Sequence, residues 1–154
     1  MKTDLHELDA RRAALQAGGG ADKIARQHQL GKLSARERLA LLFDADSFVE
    51  FGLWVRHRCR ELEGRELPGD GVVTGKGEIN GRPAFAFSQD FTVGGGALGS
   101  LHAAKIVECL RTALKCGIPV VGFNDGGGAR IQEGVEALSG YGQVFYHNTL
   151  LSGV

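Results

Sequence analysis

A chain of 154 residues carries 18 lysines and arginines against 18 aspartates and glutamates, so its formal net charge is zero. It is long enough for one domain with a buried core, and it has no basic excess to draw it to nucleic acid or an anionic bilayer. The opening MKTDLHELDARRAALQ lacks the apolar centre of a secretion signal, and no stretch approaches the roughly 18 apolar residues that span a membrane. A cytoplasmic protein with neither membrane nor nucleic-acid partners is expected.

The first predicted element is a helix over residues 4–16, with Leu5, Leu8, Arg12 and Leu15 along one side and Gly18-Gly19-Gly20 as its stop. Residues 1–31 are assigned to a helical packing arm and residues 32–154 to the domain proper. Ser34 and Glu37 fit a capping box ahead of Leu39, Leu41, Leu42 and Phe43, which predicts a helix ending near Asp44. From Phe48 the pattern turns to strands, first FVEFGLWV, then a charged loop and the turn residues Pro68-Gly69-Asp70. Two strands, 71–79 and 82–87, flank Asn80-Gly81, a dipeptide that accepts positive φ at both centres of a type I′ turn, and so predict a hairpin.

Apolar residues recur at Ala103, Val107, Leu110 and Leu114, which predicts a helix over about 100–115 closed by Gly117. The run IPVVGF reads as the next strand, broken by Asn124-Asp125-Gly126-Gly127-Gly128 before a last helix whose buried stripe is expected at Ile131, Val135, Leu138, Gly142 and Phe145. The order strand, helix, strand, glycine turn, helix implies parallel strands joined by a crossover, with chemistry at the two glycine clusters. The sequence stops where one further strand would be expected, so the domain reads as incomplete.

The stretch NDGGGARIQEG, from Asn124 to Gly134, is the most informative. Residues without side chains let a carbonyl approach the main chain, and a following helix would direct free N–H groups toward that point. One such donor contributes about 3 kcal/mol to an oxyanion-like transition state, so backbone geometry alone can catalyse. A glycine turn between strand and helix is also plain topology. Arg130 reads either as an anion attractor or, preferably, as a partner for Asp125 or Glu133.

Gly94, Gly96 and Gly99 fit G-x-G-x-x-G, and Asp125 ends the next strand, which sketches a nicotinamide-binding Rossmann turn. Against it, Ser88-Gln89-Asp90 separate the glycines from their strand. His57, His102 and His147 lie in separate segments, and no serine or cysteine stands in a nucleophile motif, so a hydrolase triad is not indicated. Cys59, Cys109 and Cys116 form no C-x-x-C pair and read as reduced thiols, with no metal assigned.

Taken together, AALQAGGGADKIARQHQLGKLSARERLALLFD, LPGDGVVTGKGEINGRPAFAFSQDFTV and NDGGGARIQEGVEALSGY resemble the β subunits of propionyl-CoA and acetyl-CoA carboxylases and the similar subunits of methylmalonyl-CoA transcarboxylase and decarboxylase. The resemblance runs from about residue 5 onward. It implies an α/β, crotonase-like ββα superhelix, here the incomplete N-terminal carboxyltransferase domain. It also implies transfer of a carboxyl group from carboxybiotin, on a separate carrier, to the α-carbon of an acyl-CoA. The implied partners are a biotin carboxylase or biotin carrier subunit and further carboxyltransferase subunits.

By position, the amides of Gly127, Gly128 and Ala129 correspond to half of the family's oxyanion hole, the other half belonging to a later P-C-A-G-G-like turn. Gly94, Gly95 and Gly96 would lie beside the CoA and biotin channel. Gly126 stands where the family usually has serine, and Gly94 where it usually has phenylalanine, which is expected to loosen both loops. The absence of a Cys₄ pattern separates the sequence from the zinc-ribbon type of acetyl-CoA carboxylase subunit. Two readings compete with an enzyme part that is inactive alone: a non-catalytic CoA-binding or subunit-docking module, and the nicotinamide-binding domain.

Overall fold

The computed structural model describes residues 2–153, with side chains from residue 5 onward. Five helices and four strands form among them: α1 (Lys2–Gln16), α2 (Ala21–Gln29), α3 (Ala35–Leu42), β1 (Val49–Phe51), β2 (Val72–Ile79), β3 (Arg82–Gln89), α4 (Ser100–Cys116), β4 (Val120–Phe123) and α5 (Val135–Leu150). The sheet order is β1-β2-β3-β4, antiparallel except for the β3/β4 pair, which is parallel and spans α4 as its crossover.

The β2–β3 hairpin is the frame. Asn80 and Gly81 take φ of 51° and 72°, as the turn reading requires. Their N–H groups donate to the Asp44 carboxylate at 3.0 and 2.8 Å, so the turn is tied to the end of α3. Alternation along the strands then sorts the side chains. Val73, Ala84 and Ala86 face α3, where they pack with Ala35, Leu39 and Phe43. Val72 and Phe87 face α4, joining Ala103, Ile106 and Leu110.

α3 begins with the expected capping box: Glu37 N–H donates to Ser34 Oγ and Ser34 N–H to the Glu37 carboxylate at 2.7 Å. α4 ends at Gly117, which is left-handed at φ 64°. Other expectations need correction. FVEFGLWV supplies only the three residues of β1. α2 forms a separate helix within the arm, and its sequence ADKIARQHQ hides it because no apolar stripe marks it. Leu5 and Leu8 of α1 stay exposed, so that helix engages the body only near its C-terminal end.

The predicted buried stripe of the last helix is wrong. Ile131, in a 3-10 turn before α5, is 88% exposed, Val135 76%, and Leu138 and Phe145 62% each. Ala137 and Val144 are the buried side chains instead. The cause is a close crossing with α4: a Cβ at Gly140 would stand 2.7 Å from the Ala103 Cβ, so small residues occupy the contact and the larger ones are turned away.

Candidate functional site

The two glycine clusters meet. After β3, the chain turns through Gly94, Gly95 and Gly96 with φ of 57°, 67° and 62°, three successive left-handed residues. Beyond β4 the loop 124–129 lies against this turn. A Cβ on Gly96 would fall 2.5 Å from the Asp125 carbonyl oxygen, and one on Gly126 would fall 2.4 Å from the Gly96 oxygen. The usual serine of the resembling family therefore does not fit at Gly126 without movement. What was expected to loosen the loop instead closes the gap between the two clusters.

Bonds across this contact decide which amides are free. Gly127 N–H donates to Gly95 O at 2.8 Å, Leu98 N–H to Gly128 O at 2.9 Å, and Arg130 N–H to Leu98 O at 2.9 Å. Leu98 and Ala129 thus form an isolated parallel bridge that extends the β3/β4 pairing. Gly127 must be withdrawn from the expected oxyanion donors, because its amide is already used within the fold. The amides of Gly128 and Ala129 donate to no acceptor among the described residues, although both residues are half-buried. A second correction concerns the helix. A 3-10 turn over Ile131–Glu133 and Gly134 intervene before α5, so its positive end does not directly follow the glycines.

Beneath the loop lies a buried ionic lattice. Arg130, 2% exposed, donates to Asp70 Oδ1 at 2.7 Å, to Glu133 Oε1 at 2.8 Å and to Ala97 O at 3.0 Å. The second Glu133 oxygen accepts Ser100 N–H at 2.6 Å at the start of α4. One guanidinium therefore joins the glycine loop, the Gly94–Gly99 turn and the Pro68–Gly71 turn. Asp70 is fully buried, and that burial raises its pKa despite the Arg130 charge. Of the two partners expected for Arg130, Glu133 is found and Asp125 is not. Asp125 instead accepts from Arg38 at 2.5 Å and Lys32 at 3.1 Å.

The Asp70 link spans 60 residues of chain and had no local signal. Near it, Lys105 Nζ donates to the Gly69 carbonyl at 2.6 Å and to that of Val72, and burial lowers its pKa to about 8. His102 is fully buried between Asp70 O at 2.8 Å and the Gln89 side-chain amide at 3.2 Å. Its Nδ1–H donates to the carbonyl and its Nε2 accepts from the amide, an arrangement only the neutral ring satisfies. Burial accordingly depresses its pKa to about 3. His57 and His147 lie elsewhere, each bonded to a backbone carbonyl.

These contacts give the dinucleotide reading no support. The dinucleotide reading needs a phosphate at the α4 N-terminus and a free Asp125, but Glu133 fills the first place and Arg38 with Lys32 hold the second. Cys109 is buried, and that burial pushes its thiol up to about 12. Among the described residues no cluster of three or more histidine, cysteine or acidic side chains forms a metal site, and no helix is long and apolar enough to cross a membrane.

Residues 26–154 match the family model described as the carboxyl transferase domain. Methylmalonyl-CoA decarboxylase subunit alpha of Veillonella parvula is 58% identical over 152 residues, covering 97% of this chain and 29% of that protein. The propionyl-CoA carboxylase beta chain of Cereibacter sphaeroides is 54% identical over 156 residues, covering 100% and 31%. A solved structure of transcarboxylase 12S with methylmalonyl-coenzyme A and methylmalonic acid bound has a TM-score of 0.97 at 47% identity, covering 100% of this chain and 31% of that one. The chain thus spans about 30% of the length of these relatives. The fold is the expected crotonase-like α/β arrangement, and the chain belongs to the carboxyl transferase domain family.

Proposed function

We propose that this chain is the N-terminal part of a carboxyltransferase that moves a carboxyl group from carboxybiotin to the α-carbon of a short acyl-CoA such as propionyl-CoA or acetyl-CoA. The supporting observation is the pair of amides at Gly128 and Ala129, left without acceptors among the described residues between Gly127 and Arg130, whose amides are both engaged. Loss of the α-proton places negative charge on the thioester oxygen, and two fixed N–H donors stabilise that oxygen more than the neutral carbonyl.

The surrounding side chains fit a purely electrostatic role. Asp125, Arg130 and Glu133 are tied into ion pairs, and His102 is neutral and enclosed, so none is free to serve as a base. Carboxybiotin, brought by a separate carrier, supplies the carboxyl group when bound, and with it the group that accepts the α-proton. Gly94, which is exposed, and Gly95 would border the channel for CoA and biotin, whereas Gly96, expected there with them, is buried against the Asp125 backbone. Biotin carboxylase or biotin carrier subunits and further carboxyltransferase subunits are the expected partners.

The P-C-A-G-G-like turn that would supply the second half of the oxyanion hole is not among these 154 residues. The purified chain is therefore expected to show no biotin-dependent carboxylation or decarboxylation of propionyl-CoA and methylmalonyl-CoA. Robust turnover by the isolated chain overturns the proposal. One observation favours a second reading as a docking module: β4 is an edge strand, paired only with β3 among the described residues. Co-elution with a full-length homologue on size exclusion supports that role, and separate elution counts against it.

A further inference from the structure

The two glycine clusters are gripped from outside as well as by each other. The grip comes from residues 18–38, which lead from the end of α1 through α2 into α3. Gly18, Gly19 and Gly20 precede residue 26, where the match to the carboxyl transferase domain begins. They sit on the turn Asp90–Thr92, which carries the chain from β3 into the Gly94–Gly96 cluster. Gly19 N–H donates to Thr92 Oγ1 at 3.0 Å. That hydroxyl donates to Asp90 Oδ1 at 2.6 Å, and Thr92 N–H donates to the same oxygen at 3.0 Å. Asp90 and Thr92 are both buried. The fit is tight, since a Cβ on Gly19 would fall 2.0 Å from the Thr92 carbonyl oxygen. Gly19 is not among the positive-φ glycines, so contact alone demands a residue without a side chain there.

A second hold acts on the other cluster. Lys32, in the link between α2 and α3, reaches toward both: its Nζ lies 5.5 Å from the centre of the Phe91 ring and 3.1 Å from Asp125 Oδ1. Arg38 of α3 donates to Asp125 Oδ2 at 2.5 Å. Asp125 leads directly into Gly126–Ala129, and a carboxylate caught between two cations cannot turn without breaking a charge-assisted bond. Arg38 is the stronger half, because its side chain is 16% exposed against 48% for Lys32, and water screens an exposed pair. The loop is therefore pinned on both sides of Gly126, by side chains at Asp125 and by Gly95 O on the Gly127 amide.

We infer that residues 18–38 act as a strap that sets where the Gly128 and Ala129 amides stand, with Asp125, Arg38 and Gly19 as positioning residues. Arg38 acts through Asp125 and the loop that follows it. Gly19 acts through Thr92 and the Gly94–Gly96 turn, whose Gly95 carbonyl holds Gly127. Slack in either hold carries the two amides off the single spot at which a fixed donor is useful. That these amides receive a thioester oxygen rests on the carboxyltransfer reading, whereas the hold itself does not. The arm is then part of the site's machinery and not packing alone.

Residue-resolved amide NMR of the 154-residue chain tests the strap without any ligand. In Arg38→Met the Gly128 and Ala129 amide resonances should move. Exchange of the Gly127 N–H should quicken about tenfold relative to the β2 and β3 amides, as expected for one lost hydrogen bond to a charged group. Arg38→Lys keeps a cation beside Asp125 and should recover most of both changes. Gly19→Ala should move the same loop resonances through Thr92, with circular dichroism confirming the fold. If that variant does not fold, Thr92→Val, which removes the hydroxyl acceptor at nearly constant shape, replaces it with the same expectation. Arg82→Gln removes a charge from an exposed position at the other end of β3 and should move none of them. Loop resonances unmoved in Arg38→Met or in the arm variant, or a change shared equally by the β2 and β3 amides, overturns the strap. Wild-type Gly128 and Ala129 amides that ignore propionyl-CoA count against carboxyl transfer, while the ligand-free shifts of the variants still decide the strap.

Discussion

The α3 side of the β2–β3 hairpin and the junction beneath the glycine loops are both buried, yet different forces hold them. Between α3 and the sheet the contacts are apolar, with Leu39 and Phe43 on Val73, Ala84 and Ala86. Under the loops they are polar and directional, with Arg130, Glu133 and His102 each tied to a particular backbone group and the Asp70 carboxylate to the Arg130 guanidinium. Apolar packing stabilises an element wherever it fits and tolerates small shifts. Charge-assisted hydrogen bonds fix individual atoms, which is what a loop needs if its amides are to stand at one spot. The burial of ions costs stability; it is found where position matters.

Removing the ionic side of this contrast should have the largest effect. Arg130→Met strands the buried Asp70 and frees Glu133, and losing one partner of a buried pair costs about 3–5 kcal/mol. A correspondingly lower urea midpoint is expected, with partial recovery in Asp70→Asn/Arg130→Met because the orphaned charge is gone. A shift under about 1 kcal/mol would show that the lattice is not holding the junction. Leu39→Ala should cost about 3 kcal/mol through lost transfer energy and a cavity. Unlike Arg130→Met, it should leave amide chemical shifts at Gly128 and Ala129 unchanged, and movement there would break the proposed division of labour.

The smallest expected effect is a pH dependence carried by His102. Its folded-state pKa of about 3 lies well below the ordinary 6.5, so the unfolded chain gains a proton there first as pH falls. Its contribution to stability is complete above about pH 6.5 and is lost below it, by at most about 1.4 kcal/mol per pH unit. Asp70, shifted upward, acts in the opposite sense. The comparison of wild type with His102→Gln therefore isolates the imidazole: urea midpoints at pH 7.5 and 5 should fall more steeply for wild type. Identical slopes would mean that the ring is not held neutral.

What the sequence disclosed follows from how local each signal was. Asn80-Gly81, the Ser34/Glu37 box and the period of α4 are each written within a few residues, and the structure contains all three. The α5 stripe misled because periodicity favours the larger side chains, whereas a close helix crossing at Gly140 buries Ala137 and Val144. α2 left no trace because Ile24 is its one large apolar residue. At the site, the glycine loop was legible from its composition. The Arg130–Asp70 pair and the Gly127–Gly95 bond were not, because each joins segments distant in the chain through single atoms. Gly127 was therefore counted as a donor that the fold had already used.

The central claim is that Gly128 and Ala129 present open amides while Gly127 does not, and residue-resolved amide NMR tests it directly. On titration with propionyl-CoA, the Gly128 and Ala129 N–H resonances should move in saturable fashion, whereas the Gly127 N–H should stay in place and exchange slowly with solvent. Unmoved Gly128 and Ala129 resonances at saturating thioester, or a Gly127 amide that exchanges as fast as its neighbours, would contradict the account.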